Sequence, residues 1–151
     1  MKEKELLSKL DDARIEEAIN RAEKACAGEI KVHIHSSLHG KDIREYAERT
    51  FERLGLTKTA QRNGVLIFIA ATEQLFAILG DKGIDDKVPA GFWDEISNRM
   101  STRFRAGEFT EGVVEAIEAA GAELHHFFPY HAADVDELSN KVSYGTGEKE
   151  E

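Results

Sequence analysis

Four carboxylates and one amide form the first candidate site: Glu29, Asn63, Asp81, Asp85 and Asp86. They are distant in sequence, but one simple topology gathers them. A strand over Glu29–His35, a helix, and a second strand over Gly64–Ala70 form a parallel pair by the usual connection rule, so both strands begin at the same sheet edge. A third strand over Leu75–Leu79, joined to the second through Thr72 and Glu73 as a hairpin, ends at that edge. Gly28-Glu29, Gln61-Arg62-Asn63 and Gly80 to Asp86 are therefore expected to meet. Carboxylates, an amide oxygen and carbonyls of glycine-containing loops are the hard donors that calcium or magnesium requires. Converging carboxylates also repel one another and need a compensating charge. Arg62, Lys82 and Lys87 offer the alternative, an acidic rim closed by salt bridges without any ion. Relief of that repulsion predicts that Asp81→Asn leaves the metal-free fold intact, or firmer.

The loop GDKGIDD lacks the alternating ligands and closing glutamate of an EF-hand, and it has no Gly-Lys-Ser/Thr phosphate loop. His33 and His35 share one strand face at a spacing that suits zinc if a third ligand arrives from His39, His125, His126 or His131. A polar, partly exposed strand face accounts for the pair more simply. Ser36, Ser37 and Asp42 invite a nucleophile triad, but no nucleophile elbow surrounds either serine. Cys26 lies on an apolar helix stripe and reads as a small core residue.

These residues need a scaffold, and hydrophobic spacing supplies one. Ile15, Ile19, Ala22 and Cys26 recur at helical intervals before Gly28. Ile30, Val32 and Ile34 then alternate with Lys31, His33 and His35, as in a half-buried strand. Ile43, Tyr46, Ala47, Thr50, Phe51 and Leu54 return to helical spacing, closed by Gly55. Gly64 to Ala70 is an unbroken apolar run, as expected of a strand covered on both faces. After Pro89, the residues Phe92, Trp93, Ile96, Met100 and Phe104 form one stripe ended by Gly107. A last helix runs to Pro129, with Thr110 as expected N-cap and Phe109 and Val114 at the staple positions. The order α-β-α-β-β-α-α predicts a three-layer α/β/α sandwich with a small mixed sheet.

Composition sets the outer bounds. The chain has 151 residues, 41% hydrophobic and 32% charged, with 20 Lys and Arg against 29 Asp and Glu, a net charge of −9. That length suits one domain with a real core. The acidic balance argues against a nucleic-acid partner, which demands a basic face. No apolar run reaches the ~20 residues of a membrane span, so no direct membrane insertion is expected. The N-terminal residues lack the apolar stretch of a secretory signal, and the lone Cys26 permits no internal disulfide, so a cytoplasmic protein is expected. Residues 134–151 hold six acidic side chains and two lysines, a net of −4, with little apolar material. They read as an acidic tail outside a single domain over residues 1–133.

The segments GEIKVHI, RNGVLIFIA, FAILGDKGID, GFWDEI and FRAGEFTEGVVEAIEAAGAEL, in this order and spacing, resemble the TPM domain, also called the TPM-phosphatase family. The resemblance covers about residues 11 to 130. It implies an α/β/α sandwich, and it brings associations with divalent-cation binding, acid phosphatase activity and the maintenance of membrane complexes. It implies metal-ligand roles for Glu29 of GEI and Asp81 after the third strand. Two departures are expected: no signal or membrane anchor like that of many relatives, and Arg62 where an acidic residue often precedes Asn-Gly. The resulting expectation is a soluble module that binds calcium or magnesium weakly at the acidic cluster, with binding or regulatory rather than catalytic work. A metal-assisted acid phosphatase is the alternative, with Arg62 or Lys82 holding phosphate charge.

Overall fold

Apolar residues at helical spacing build helix α1 (Asp12–Lys24), which buries Ile15, Ala18 and Ile19 in the computed structural model of the protein. Asp11 starts it by accepting the Arg14 amide hydrogen on its side chain at 3.2 Å, which satisfies one donor the first turn leaves open. The structure describes Ser8 and residues 10–129 and 141–145.

Strand β1 (Glu29–His35) runs parallel to β2 (Gly64–Ala70), in a register that pairs Glu29 with Gly64 and His35 with Ala70. Helix α2 (Ile43–Arg53) and the short 3-10 turn Leu56–Lys58 make the crossover. Strand β3 (Leu75–Gly80) returns antiparallel to β2. A one-turn helix α3 (Lys82–Asp85) follows, then α4 (Phe92–Arg105) and α5 (Phe109–Phe127). A fourth strand, β4 (Ser143–Gly145), lies parallel to β1, so the open mixed sheet has the order β3-β2-β1-β4.

Two cores flank the sheet, as the period-2 alternation requires. Ile30, Val32, Ile34, Val65, Ile67 and Ile69 face α1, α4 and α5. On the opposite face, Leu66, Phe68, Ala70 and Leu79 pack with Tyr46, Ala47 and Phe51 of α2. The expected three-layer α/β/α sandwich is therefore present. Phe68 is fully buried, and its truncation to alanine is expected to cost about 3–5 kcal/mol.

Four local expectations are corrected. The Lys31-His33-His35 face of β1 is not partly exposed: these residues are 7%, 0% and 1% accessible. Helix α5 begins one residue before Thr110, so this threonine is not its cap; its hydroxyl instead accepts the Asp11 amide hydrogen at 3.1 Å and ties α5 to the start of α1. Phe109 consequently lies inside the helix rather than at a staple position, with its ring 5.0 Å from that of Phe104. The acidic tail is not wholly outside the fold, because Ser143–Gly145 extends the sheet at its β1 edge. The remainder of residues 134–151, apart from Lys141 and Val142, lies outside the described residues. Among the described residues, no helix is long and apolar enough to cross a membrane.

Candidate functional site

The three expected loops do meet at the starting edge of β1 and β2. The Asp81 amide donates to the Gly64 carbonyl at 2.8 Å, the Gly83 amide to the Arg62 carbonyl at 2.7 Å, and the Asn63 Nδ2 to the Ala27 carbonyl at 3.3 Å. Gly83 is demanded by that approach, since a Cβ there would stand 2.2 Å from the Gln61 carbonyl oxygen and 2.5 Å from that of Arg62.

The five candidate ligands divide into different tasks. Asp81 is only 7% accessible. Its Oδ2 accepts from Arg62 Nε at 2.5 Å, while Oδ1 accepts from Arg62 Nη2 at 2.9 Å and from the Lys82 amide at 2.9 Å. This is a forked guanidinium–carboxylate pair, charge-assisted and directional. The same carboxylate caps α3. Arg62 reaches it from a left-handed backbone conformation, with φ of 53°. The pair holds the guanidinium even more firmly protonated than usual, chiefly through the hydrogen bonds to Asp81.

Asn63 is 1% accessible and stitches loops together, its Oδ1 lying 3.5 Å from the Thr59 hydroxyl that donates to it. Glu29 is buried at the head of β1, where its charge raises the pKa of Lys31 against the larger, opposite effect of burial. Asp85 is exposed and accepts from the Trp93 indole Nε1 at 2.9 Å. Asp86 is exposed beside it.

Sequence reasoning missed Glu23. It is 6% accessible, and its Oε2 accepts the Ile30 amide hydrogen at 2.7 Å, so it fixes the entry into β1. The signal was present, because Glu23 stands four residues after Ile19 and eight after Ile15, on the buried stripe of α1.

The donor chemistry suits a hard cation, but the arrangement does not hold one as it stands. Among the described residues, no three His, Cys, Asp or Glu side chains are grouped to hold a metal ion. At Asp81 the positive charge is supplied by Arg62 instead. The other constellations resolve similarly. His33 Nε2 and His35 Nδ1 lie 3.2 Å apart, and His33 Nδ1 faces the Ser143 hydroxyl at 2.8 Å. His125, on α5 at the opposite face of the sheet from that pair, turns its Nδ1 to the Ala25 carbonyl at 2.6 Å, and His131 lies outside the described residues. Ser37 donates to Glu73 at 3.1 Å and accepts the His39 amide hydrogen at 3.1 Å, a turn arrangement rather than an activated nucleophile.

Comparison with known proteins agrees with this architecture. The family model of the TPM domain matches residues 1–123. The chain belongs to the TPM domain family. The TPM domain described above is similar to the NMR structure of the BA42 protein from the psychrophilic bacterium Bizionia argentinensis, with 39% identity and a TM-score of 0.82 over 91% of this chain and 96% of that one. The fold alone is shared with the N-terminal domain of a P. gingivalis protein, at 21% identity and a TM-score of 0.64 over 81% and 83% of the two chains. It is shared likewise with the N-terminal domain of the cg2496 protein of Corynebacterium glutamicum, at 14% identity and a TM-score of 0.61 over 86% and 82%. No curated protein matches the chain.

Proposed function

We propose that this TPM domain is a binding module whose acidic edge takes up calcium or magnesium weakly, in exchange for the Arg62 guanidinium. The observation that supports this reading is the Arg62–Asp81 pair at the junction of three loops. A guanidinium and a cation are alternatives for the same two oxygens. Asp81 is pre-positioned by its cap on Lys82, whereas the Arg62 side chain is 44% accessible and can swing into water without burying its charge. Once it leaves, both Asp81 oxygens are available, with Asp85 and Asp86 on the same short turn as further hard donors. Glu29 and Asn63, both buried at the same sheet edge, are the remaining candidate ligands. Displacing a bidentate partner lowers the affinity below that of a dedicated cage.

The metal-assisted phosphatase draws less support. The exposed Asp85 and Asp86 oppose the approach of a phosphate dianion.

Amide chemical shifts recorded during a calcium titration test the reading. The native chain is expected to respond weakly and saturably at residues 61–63 and 80–86. Arg62→Ala is expected to bind more tightly, and Asp81→Asn to lose the response. Equal affinity in the native chain and Arg62→Ala, or shifts confined to residues after 134, would sink the exchange site. An activated aryl phosphate is expected to turn over no faster than in a buffer-and-metal control.

A further inference from the structure

The buried histidine pair has a task that the acidic edge does not explain: it floors a groove occupied by the chain's own C-terminal segment. Residues 141–145 lie along the open side of β1, with Ser143 opposite His33 and Gly145 opposite His35. Their polar groups are read one by one. Lys31 Nζ donates to the Lys141 carbonyl at 3.3 Å, and Lys141 Nζ lies 4.0 Å from Glu16 Oε1. The Val142 amide donates to Glu16 Oε2 at 3.1 Å, and the Tyr144 hydroxyl donates to Asp12 at 2.8 Å. The Gly145 carbonyl accepts from the Ser36 amide at 2.9 Å. A Cβ at Gly145 would stand 2.8 Å from His35 Nδ1 and 3.0 Å from His33 Nε2, so the imidazoles admit only glycine there.

We propose that the edge of β1 covered by residues 141–145 is a strand-addition site for an extended peptide carrying a basic residue, a hydroxyl residue, a tyrosine and a glycine, and that residues 141–145 are its resident competitor. Main-chain pairing supplies affinity in such sites, and alternate side-chain contacts supply selectivity. The acidic pair Asp12 and Glu16 selects the base and the phenol, and His33 and His35 select the hydroxyl and the glycine. None of these contacts requires the occupant to belong to the same chain. Occupation in cis is nonetheless favoured. Phe128 and Pro129 are anchored beside Ala27 and Cys26, at the start of β1. Lys141 follows Pro129 by only twelve residues in the same chain, a length that reaches at most ~43 Å. Such a tether gives a local concentration of about millimolar. Only three residues of the occupant are paired in the sheet, so the hold is short enough to be exchanged.

The test uses the full chain and a fluorescent peptide of residues 139–147, SNKVSYGTG, read by polarisation. In the native chain, the peptide is expected to compete only at about millimolar concentration, set by the tether. Gly145→Val in the chain clashes with the histidines and frees the groove, so the peptide should bind at least about ten-fold more tightly, the tether's advantage being lost. A peptide carrying the same Gly→Val change should not bind. Tyr144→Ala, which removes the Asp12 contact without touching the sheet, serves as the second variant and should also raise affinity. Amide signals of His33 to His35 should move on release of the segment and return when peptide is added. Equal peptide affinity in the native chain and both variants, or equal binding of the Gly→Val peptide, would overturn the proposal. Concentration-dependent dimers of the native chain that exclude the peptide would also overturn it, assigning the groove to a second copy.

Discussion

Arg62 and Asp81 face each other across the junction of the β1, β2 and β3 loops, with two guanidinium nitrogens at 2.5 and 2.9 Å from the two carboxylate oxygens. The pair reverses the expectation that Asp81 is strained by like charge. Asp81→Asn is now expected to weaken the fold rather than firm it, because it removes one end of a forked ion pair. Asp81→Ala goes further and also removes the cap of α3, a loss of about 1 kcal/mol by itself. Urea unfolding in the presence of a chelator measures both, and greater stability in either variant would contradict the geometry.

Gly83 offers a sharper test of the same junction. Gly83→Ala would place a methyl group 2.2 Å from a backbone oxygen, a contact no side-chain rotation relieves. A destabilisation of about 1–3 kcal/mol is expected, with α3 displaced from the Arg62 loop. Chemical denaturation gives the magnitude, and changes in the amide signals of residues 61–63 give the location.

Trp93, the chain's single tryptophan, reports on the edge through its hydrogen bond to Asp85. A cation that draws Asp85 away should change the indole emission with the same midpoint as the amide shifts at 80–86. Asp85→Ala should abolish the fluorescence response while leaving part of the amide response at Asp81. A persistent emission change in that variant would mean that Trp93 senses something other than this contact.

His33 makes stability depend on acid. Burial first, then the neighbouring His35, Arg53 and Lys31, pulls its pKa from 6.5 down to about 3. Between those values the unfolded chain binds the proton and the folded one does not. Stability is therefore full above about pH 6.5 and falls as pH drops, at up to ~1.4 kcal/mol per pH unit from this group. Denaturation midpoints between pH 6.5 and 5 should show the slope, which a His33→Gln variant should reduce and a change at exposed His126 should not. A stability that rises as the solution is acidified through this window would refute the sign.

Much of the architecture was written in local pattern. The alternation of Ile30, Val32 and Ile34, the unbroken run from Gly64 to Ala70, and the helical stripes around them specify strands and helices because side-chain direction follows a period of two or 3.6. The parallel connection then placed Glu29, Asn63 and Asp81 near one edge, since the crossover rule depends on chain handedness and not on side-chain detail. What a residue does at that edge was not legible. Whether Asp81 meets a metal ion or Arg62 depends on a left-handed residue and on ångström-scale distances that no spacing in the sequence encodes.

The burial of His33 and His35 likewise needed the tertiary structure. Their alternation with apolar residues reads as one wet face and one dry one, yet α2 covers that face and Ser143–Gly145 closes its side. The covering strand comes from more than a hundred residues downstream, in a stretch whose acidic, glycine-containing composition shows no core pattern. Local propensity determined the seven principal elements of this TPM domain and their order, though not the short α3 or β4. Long-range pairing alone decided which polar groups became partners, because that choice rests on the free energy of contacts between segments that composition and periodicity treat as independent.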